Sequence, residues 1–195
     1  GGGARAAYQV GVLAAIGRMR QEAGAAQDNP FPVISGTSAG AINAAFLASN
    51  ADRFDAAIGE LVDVWKHFQV SQVYRSDVLG MIRSGARWIS LLSLGWLITQ
   101  KRFRPKSLLN NDPLRDLLAQ SIDLKRLPAL MEQGHLRALA ITASSYSTGE
   151  HVTFYDSQHA ITPWIRNQRL AQYGRLSHEH LMASSAIPFI FPAIR

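Results

Sequence analysis

The chain has 195 residues, 47% hydrophobic and 17% charged, which fits one folded domain with an ample core and excludes extended disorder. It holds no cysteine, so a disulfide framework and a thiolate metal site are excluded as well. Twenty Lys plus Arg against 14 Asp plus Glu give a net charge of +6, which favours anionic surfaces such as acidic lipid headgroups; nucleic-acid binding has only that charge behind it, and no repeat supports a structural protein.

Gly1 to Ala4 is a glycine loop, and Arg5 to Gly24 reads as a helix with Tyr8, Val12, Ala15, Ile16 and Met19 on one apolar stripe. A glycine loop opening onto a helix offers free backbone N–H groups at the positive end of the helix dipole, a place to hold an anion. Either a phosphate or the oxyanion of a tetrahedral acyl intermediate suits that geometry. The phosphate reading lacks its motif, because no G-x-x-x-x-G-K-[ST] occurs and Ala6 stands where the last glycine of G-x-G-x-x-G would fall.

Phe31 to Asn43 is the stretch around which the rest is arranged. A short apolar run, Val33 and Ile34, enters Gly36-Thr37-Ser38-Ala39-Gly40, and a small-residue helical pattern from Ala39 to Ser49 leaves it. Strand, G-x-S-x-G and helix in that order form the nucleophile elbow, a turn that lifts a serine hydroxyl above the ends of a parallel sheet. Gly36 and Gly40 are read as sterically required, since strand and helix approach too closely there for side chains. Ser38 is the candidate nucleophile. It gives the glycine loop its use, because acyl transfer needs a nucleophile and N–H donors about 3 Å from the developing charge. The two loops lie side by side if a strand preceding Gly1 runs parallel to the one at Val33.

Arg53 to Phe68 reads as a helix with Phe54, Ile58, Leu61, Val62 and Trp65 on one stripe. Within 77–104, the eleven residues from Trp88 to Ile98 carry no charge and are too few to span a bilayer. Flanked by Arg83, Arg87, Lys101, Arg102 and Arg104, they read as a buried helix or lid, or as an interfacial segment. Asp112 as N-cap and Pro113 behind it start a helix through Leu114, Leu117, Leu118 and Ile122. Leu136 to Ala143 is predicted as a strand buried on both faces, His151 to Tyr155 as a second strand, and Ser147 to Glu150 as the turn between them. Pro163 to Gly174 is predicted as a polar connection anchored by Trp164, and Ser177 to Ser185 as a helix ended by Pro188 and Pro192.

Three separated pieces then stand in order: Gly1-Gly2-Gly3-Ala4-Arg5, Gly36-Thr37-Ser38-Ala39-Gly40, and Ala183-Ser184-Ser185-Ala186-Ile187-Pro188 with Phe191-Pro192-Ala193. Spanning nearly the whole chain, the set resembles the patatin-like phospholipase family. That resemblance implies an α/β fold, three-layer α/β/α with a mostly parallel central sheet, and a lipid acyl hydrolase using a Ser-Asp dyad. It places the nucleophile at Ser38 and the oxyanion hole in the amides of Gly1, Gly2 and Gly3, with Arg5 at the family's basic position. Ala6 departs from the family, which usually has glycine there.

The family's aspartate sits in an Asp-Gly motif after the Phe-Pro stretch, and no Asp-Gly occurs before Arg195. The expectation is therefore a chain trimmed at both ends, with the aspartate beyond Arg195; a dead enzyme is the other reading. Two alternatives stand beside the dyad. One is a Ser-His-Asp hydrolase, for which Asp156 followed by His178 or His180 has the right chain order. The other is a non-catalytic membrane-binding module. No cofactor or calcium is implied, the partner is a lipid or acyl-ester substrate at a membrane surface, and the site of action is the cytoplasm or that surface.

Overall fold

The computed structural model describes residues 3–25, 29–67, 112–159, 161–186 and 194. By packing, Gly1–Phe68 with Leu118–Ser185 form one unit, and Gln69–Leu117 with Ala186–Arg195 form another. The first unit holds every described strand.

Its sheet has five strands, β1 (Val33–Thr37), β2 (Ala138–Ser144), β3 (His151–Ser157), β4 (Ile165–Arg166) and β5 (Arg169–Tyr173), in the order β1-β2-β3-β5-β4. The α/β class expected from the sequence holds. The sheet is mixed, however, where a mostly parallel one was expected: β1 with β2 and β3 with β5 are parallel, while β2 with β3 and β4 with β5 are antiparallel. Connection length is the cause. Only residues 145–150 separate β2 from β3, closed by Ser145 N–H donating to the Glu150 carbonyl at 2.8 Å, and a link that short permits only antiparallel pairing.

The stretch predicted as a polar connection is instead the β4–β5 hairpin. Its two loop residues, Asn167 and Gln168, sit at φ 42° and 62°, the double positive φ of a two-residue type I′ turn. Neither is glycine, so the usual sequence signal is absent. β2 was expected to be buried on both faces, yet only Leu139, Ile141 and Ala143 are buried while Ala138, Ala140 and Thr142 are half-covered.

The helices of this unit begin with α1 (Ala6–Glu22), α2 (Ala39–Ala48) and α3 (Phe54–Lys66). After α4 (Asp112–Ser121), of which only Leu118 to Ser121 belong to this unit, come α5 (Leu127–Glu132) and α6 (His178–Ser185). α2 is apolar nearly all round and is buried accordingly, from Gly40 and Ala41 through Ala44, Ala45, Phe46, Leu47 and Ala48. It packs on β1 and β2, and α6 packs on β2 and α2. α3 packs on α1 and α2 and buries Phe54, Ala57, Ile58 and Leu61, and each large side chain buried there contributes about 1.5–3 kcal/mol. The C-terminus of α2 is closed by Arg126, which donates to the Ser49 carbonyl at 2.7 Å and to Asp52 at 2.7 Å.

α1 buries a different face from the one its periodicity suggests. Ala6, Val10 and Gly17 are buried, while Tyr8, Val12 and Met19 are exposed. Closeness selects the small residues: a Cβ on Gly17 would lie 3.4 Å from Ile58 Cδ1 of α3, so bulkier side chains are turned outward.

Candidate active site

β1 ends at Thr37 and α2 begins at Ala39, which leaves Ser38 alone to reverse the chain. It does so at φ 57° and ψ −131°, a conformation that costs a non-glycine residue about 1–3 kcal/mol and persists only where surrounding contacts enforce it. Its carbonyl already belongs to the helix, accepting from Ala41 N–H at 2.8 Å and Ile42 N–H at 3.3 Å. The serine is half-exposed at the helix start.

The first enforcing contact is steric. A Cβ on Gly36 would lie 2.3 Å from the Gly40 carbonyl oxygen and 2.6 Å from Ala41 Cα, both backbone atoms that cannot step aside. Gly40, itself buried, thus presses its backbone directly on Gly36. Strand and helix close on each other like the two arms of a bent wire with Ser38 at the bend.

A second contact comes from 146 residues away. Ser38 N–H donates to Ser184 Oγ at 2.8 Å, and Ser184 Oγ donates to the Thr142 carbonyl at 2.6 Å. Ser184 belongs to α6 and to the Ala183-Ser184-Ser185-Ala186 motif. Nothing local to that motif points at residue 38, so the sequence alone assigns Ser184 no task.

Gly1 and Gly2 lie outside the described residues; Gly3, at φ 54°, opens a 3-10 turn over Gly3–Arg5 that runs into α1 and packs on α2. Arg5 is exposed in that turn. What fixes the start of α1 against α2 is Asn43, only 3% exposed. Its Nδ2 donates to the Ala6 carbonyl and to Gln9 Oε1, each at 3.3 Å, and its Oδ1 accepts from Trp65 Nε1 at 2.9 Å. Three helices therefore meet on one amide, one turn beyond Ser38. The end of the glycine loop and the elbow consequently belong to the same end of the sheet.

A groove of about 580 Å³ lies between α1, β1 and α2, lined by Tyr8, Val12, Phe31, Val33, Gly36 and Thr37 among others and reaching Thr142 of β2.

Asp156, His178 and His180 do not form a relay with Ser38. Asp156 is buried and pairs with Arg175 at 3.4 Å, His178 Nε2 lies 2.8 Å from the Ile122 carbonyl, and His180 Nδ1 accepts from Ser177 N–H at 3.0 Å. The His180 ring rests on Phe154 with centroids 4.5 Å apart, and this burial holds its pKa below the ordinary histidine value, against the opposing charge of Glu179. All three groups serve the packing of α6 and β3.

Among the described residues no group of three His, Asp or Glu side chains could hold a metal ion, and no helix is long and apolar enough to cross a membrane. The 77–104 subregion with its Trp88 to Ile98 run, and residues 187–193, lie outside the described residues. The family model for patatin-like phospholipase matches residues 1–195. No curated protein and no solved structure matches significantly.

Proposed function

The chain belongs to the patatin-like phospholipase family of lipid acyl hydrolases, and we propose that it cleaves carboxylic esters of phospholipids or other acyl lipids with Ser38 as nucleophile. One observation carries this reading: Ser38 is held at a strained positive φ on a strand-to-helix bend, next to the end of a glycine loop. Strain of that kind clusters at active sites, where it presents a group that a relaxed turn would not.

The chemistry follows. Ser38 Oγ attacks the ester carbonyl carbon, and its proton passes to the aspartate carboxylate of the dyad. The Gly1, Gly2 and Gly3 amides stabilise the oxyanion; losing one such donor typically costs on the order of 3 kcal/mol of barrier. Collapse of the tetrahedral intermediate breaks the bond to the alcohol, which recovers the proton, and water then hydrolyses the acyl-enzyme. An aspartate of ordinary pKa about 3.9 is a poor base at neutral pH, so partial desolvation must raise its basicity. Arg5 supports the loop electrostatically. No cofactor takes part.

The 77–104 subregion would serve as lid or as contact with the lipid surface. The test is the full-length protein carrying Ser38→Ala, assayed for ester hydrolysis and for labelling by a fluorophosphonate. Both are expected to vanish. Undiminished labelling of the variant would overturn the assignment.

A further inference from the structure

We infer that Ser184 is a positioning residue for the nucleophile: its hydroxyl is spliced into the main-chain hydrogen bonding at the point where β1 leaves the sheet, and it fixes the bend that presents Ser38. The inference rests on the hydrolase reading for its consequence, though not for its geometry.

β1 pairs with β2 in parallel register up to Thr37 opposite Thr142. One residue further the chain turns away, and two backbone groups lose the neighbours a continuing ladder would supply: the Ser38 N–H and the Thr142 carbonyl. Ser184 Oγ lies between them, 2.8 Å from the first and 2.6 Å from the second. A hydroxyl suits this place because it combines one donor with two acceptor lone pairs, so it accepts from the amide and donates to the carbonyl at once. An apolar side chain would leave both groups unpaired in a part-covered site, and a carboxylate or amide side chain would not fit a gap spanned by a single oxygen.

Two consequences distinguish this from ordinary packing. The Ser38 amide is committed to Ser184 and is withdrawn from the set of oxyanion donors. The placement of α6 is also coupled to the orientation of Ser38 Oγ, so losing the hydroxyl should slow attack without weakening substrate binding. Misplacement of a nucleophile by an ångström costs on the order of a hundredfold in rate.

The experiment compares Ser184→Ala and Ser184→Thr in the full-length protein, with hydrolysis of a soluble p-nitrophenyl ester, rate of fluorophosphonate labelling, and hydrogen exchange of the Ser38 amide. Ser184→Ala is expected to lower kcat about tenfold to a hundredfold with KM nearly unchanged, to slow labelling in parallel, and to speed exchange at Ser38. Ser184→Thr, which keeps the hydroxyl, is expected to recover most of the rate. Wild-type kcat and labelling in Ser184→Ala would overturn the inference, as would an equal loss in both folded variants. If Ser184→Ala does not fold, exchange in the wild-type protein decides: a protected Ser38 amide supports the bond and a freely exchanging one refutes it. If the wild type turns over no ester, the hydrolase reading fails by itself, and exchange at Ser38 still settles the role of Ser184.

Discussion

Among the described residues, two places hold non-glycine residues at positive φ, the bend at Ser38 and the hairpin tip at Asn167 and Gln168. At the tip the strain is local: two residues close a ribbon between β4 and β5, both are exposed, and the turn they make is repaid by the strands on either side. At the bend it is imposed from afar, by Gly40 against Gly36 and by Ser184 from the last helix. The same backbone angle thus marks a connection in one case and a prepared hydroxyl in the other. What separates them is whether distant contacts are needed to keep it.

The comparison can be broken most severely at Ser38. Replacement by alanine should abolish hydrolysis and labelling, while Ser38→Gly, equally inactive, should unfold at a higher temperature than Ser38→Ala by the equivalent of about 1 kcal/mol, since glycine adopts positive φ freely. Equal melting temperatures would show that the bend stores no strain. Gly36→Ala should come next, destabilising by about 3 kcal/mol or more in chemical denaturation because its Cβ would fall 2.3 Å from a backbone oxygen.

Asn43→Ala removes the buried amide joining α1, α2 and α3, and should cost about 1–3 kcal/mol and weaken esterase activity, as the glycine loop loses its register with the elbow. At the hairpin the sign reverses. Gln168→Gly should stabilise by about 0.5 kcal/mol with activity unchanged, because there the strain holds nothing. A loss of activity in that variant would erase the distinction between the two sites.

The smallest effect is expected from pH. The folded pKa of His180 lies below its unfolded value near 6.5, so the unfolded chain binds the extra proton first. The stability His180 contributes is therefore complete above pH 6.5 and is lost as pH falls through the interval down to the folded pKa. Melting temperatures of wild type and His180→Gln should converge over that interval. A gap that widens toward acid would contradict the burial of the neutral ring.

Much of this was legible in the residues. The elbow is written in adjacent positions, strand, Gly36-Thr37-Ser38-Ala39-Gly40 and helix, and the α3 stripe falls on one face because its period matches its burial. α1 misled because its larger apolar residues form the better stripe, whereas its neighbours accept only the smaller one. The β4–β5 hairpin escaped because Asn167-Gln168 takes a turn that glycine would have announced, and the mixed pairing follows from a six-residue link whose geometry is not a matter of hydrophobicity.

From its order of residues alone, the chain determines an α/β fold with a serine set on a glycine-flanked bend, because those features depend on local sterics and on periodicity. Tertiary structure decided that the bend is held by a hydroxyl 146 residues away and that Asn43 draws three helices onto one amide. A hydrogen bond between distant segments has no period and leaves no local mark, so it exists only once the sheet and helices have brought its partners within hydrogen-bonding distance of each other.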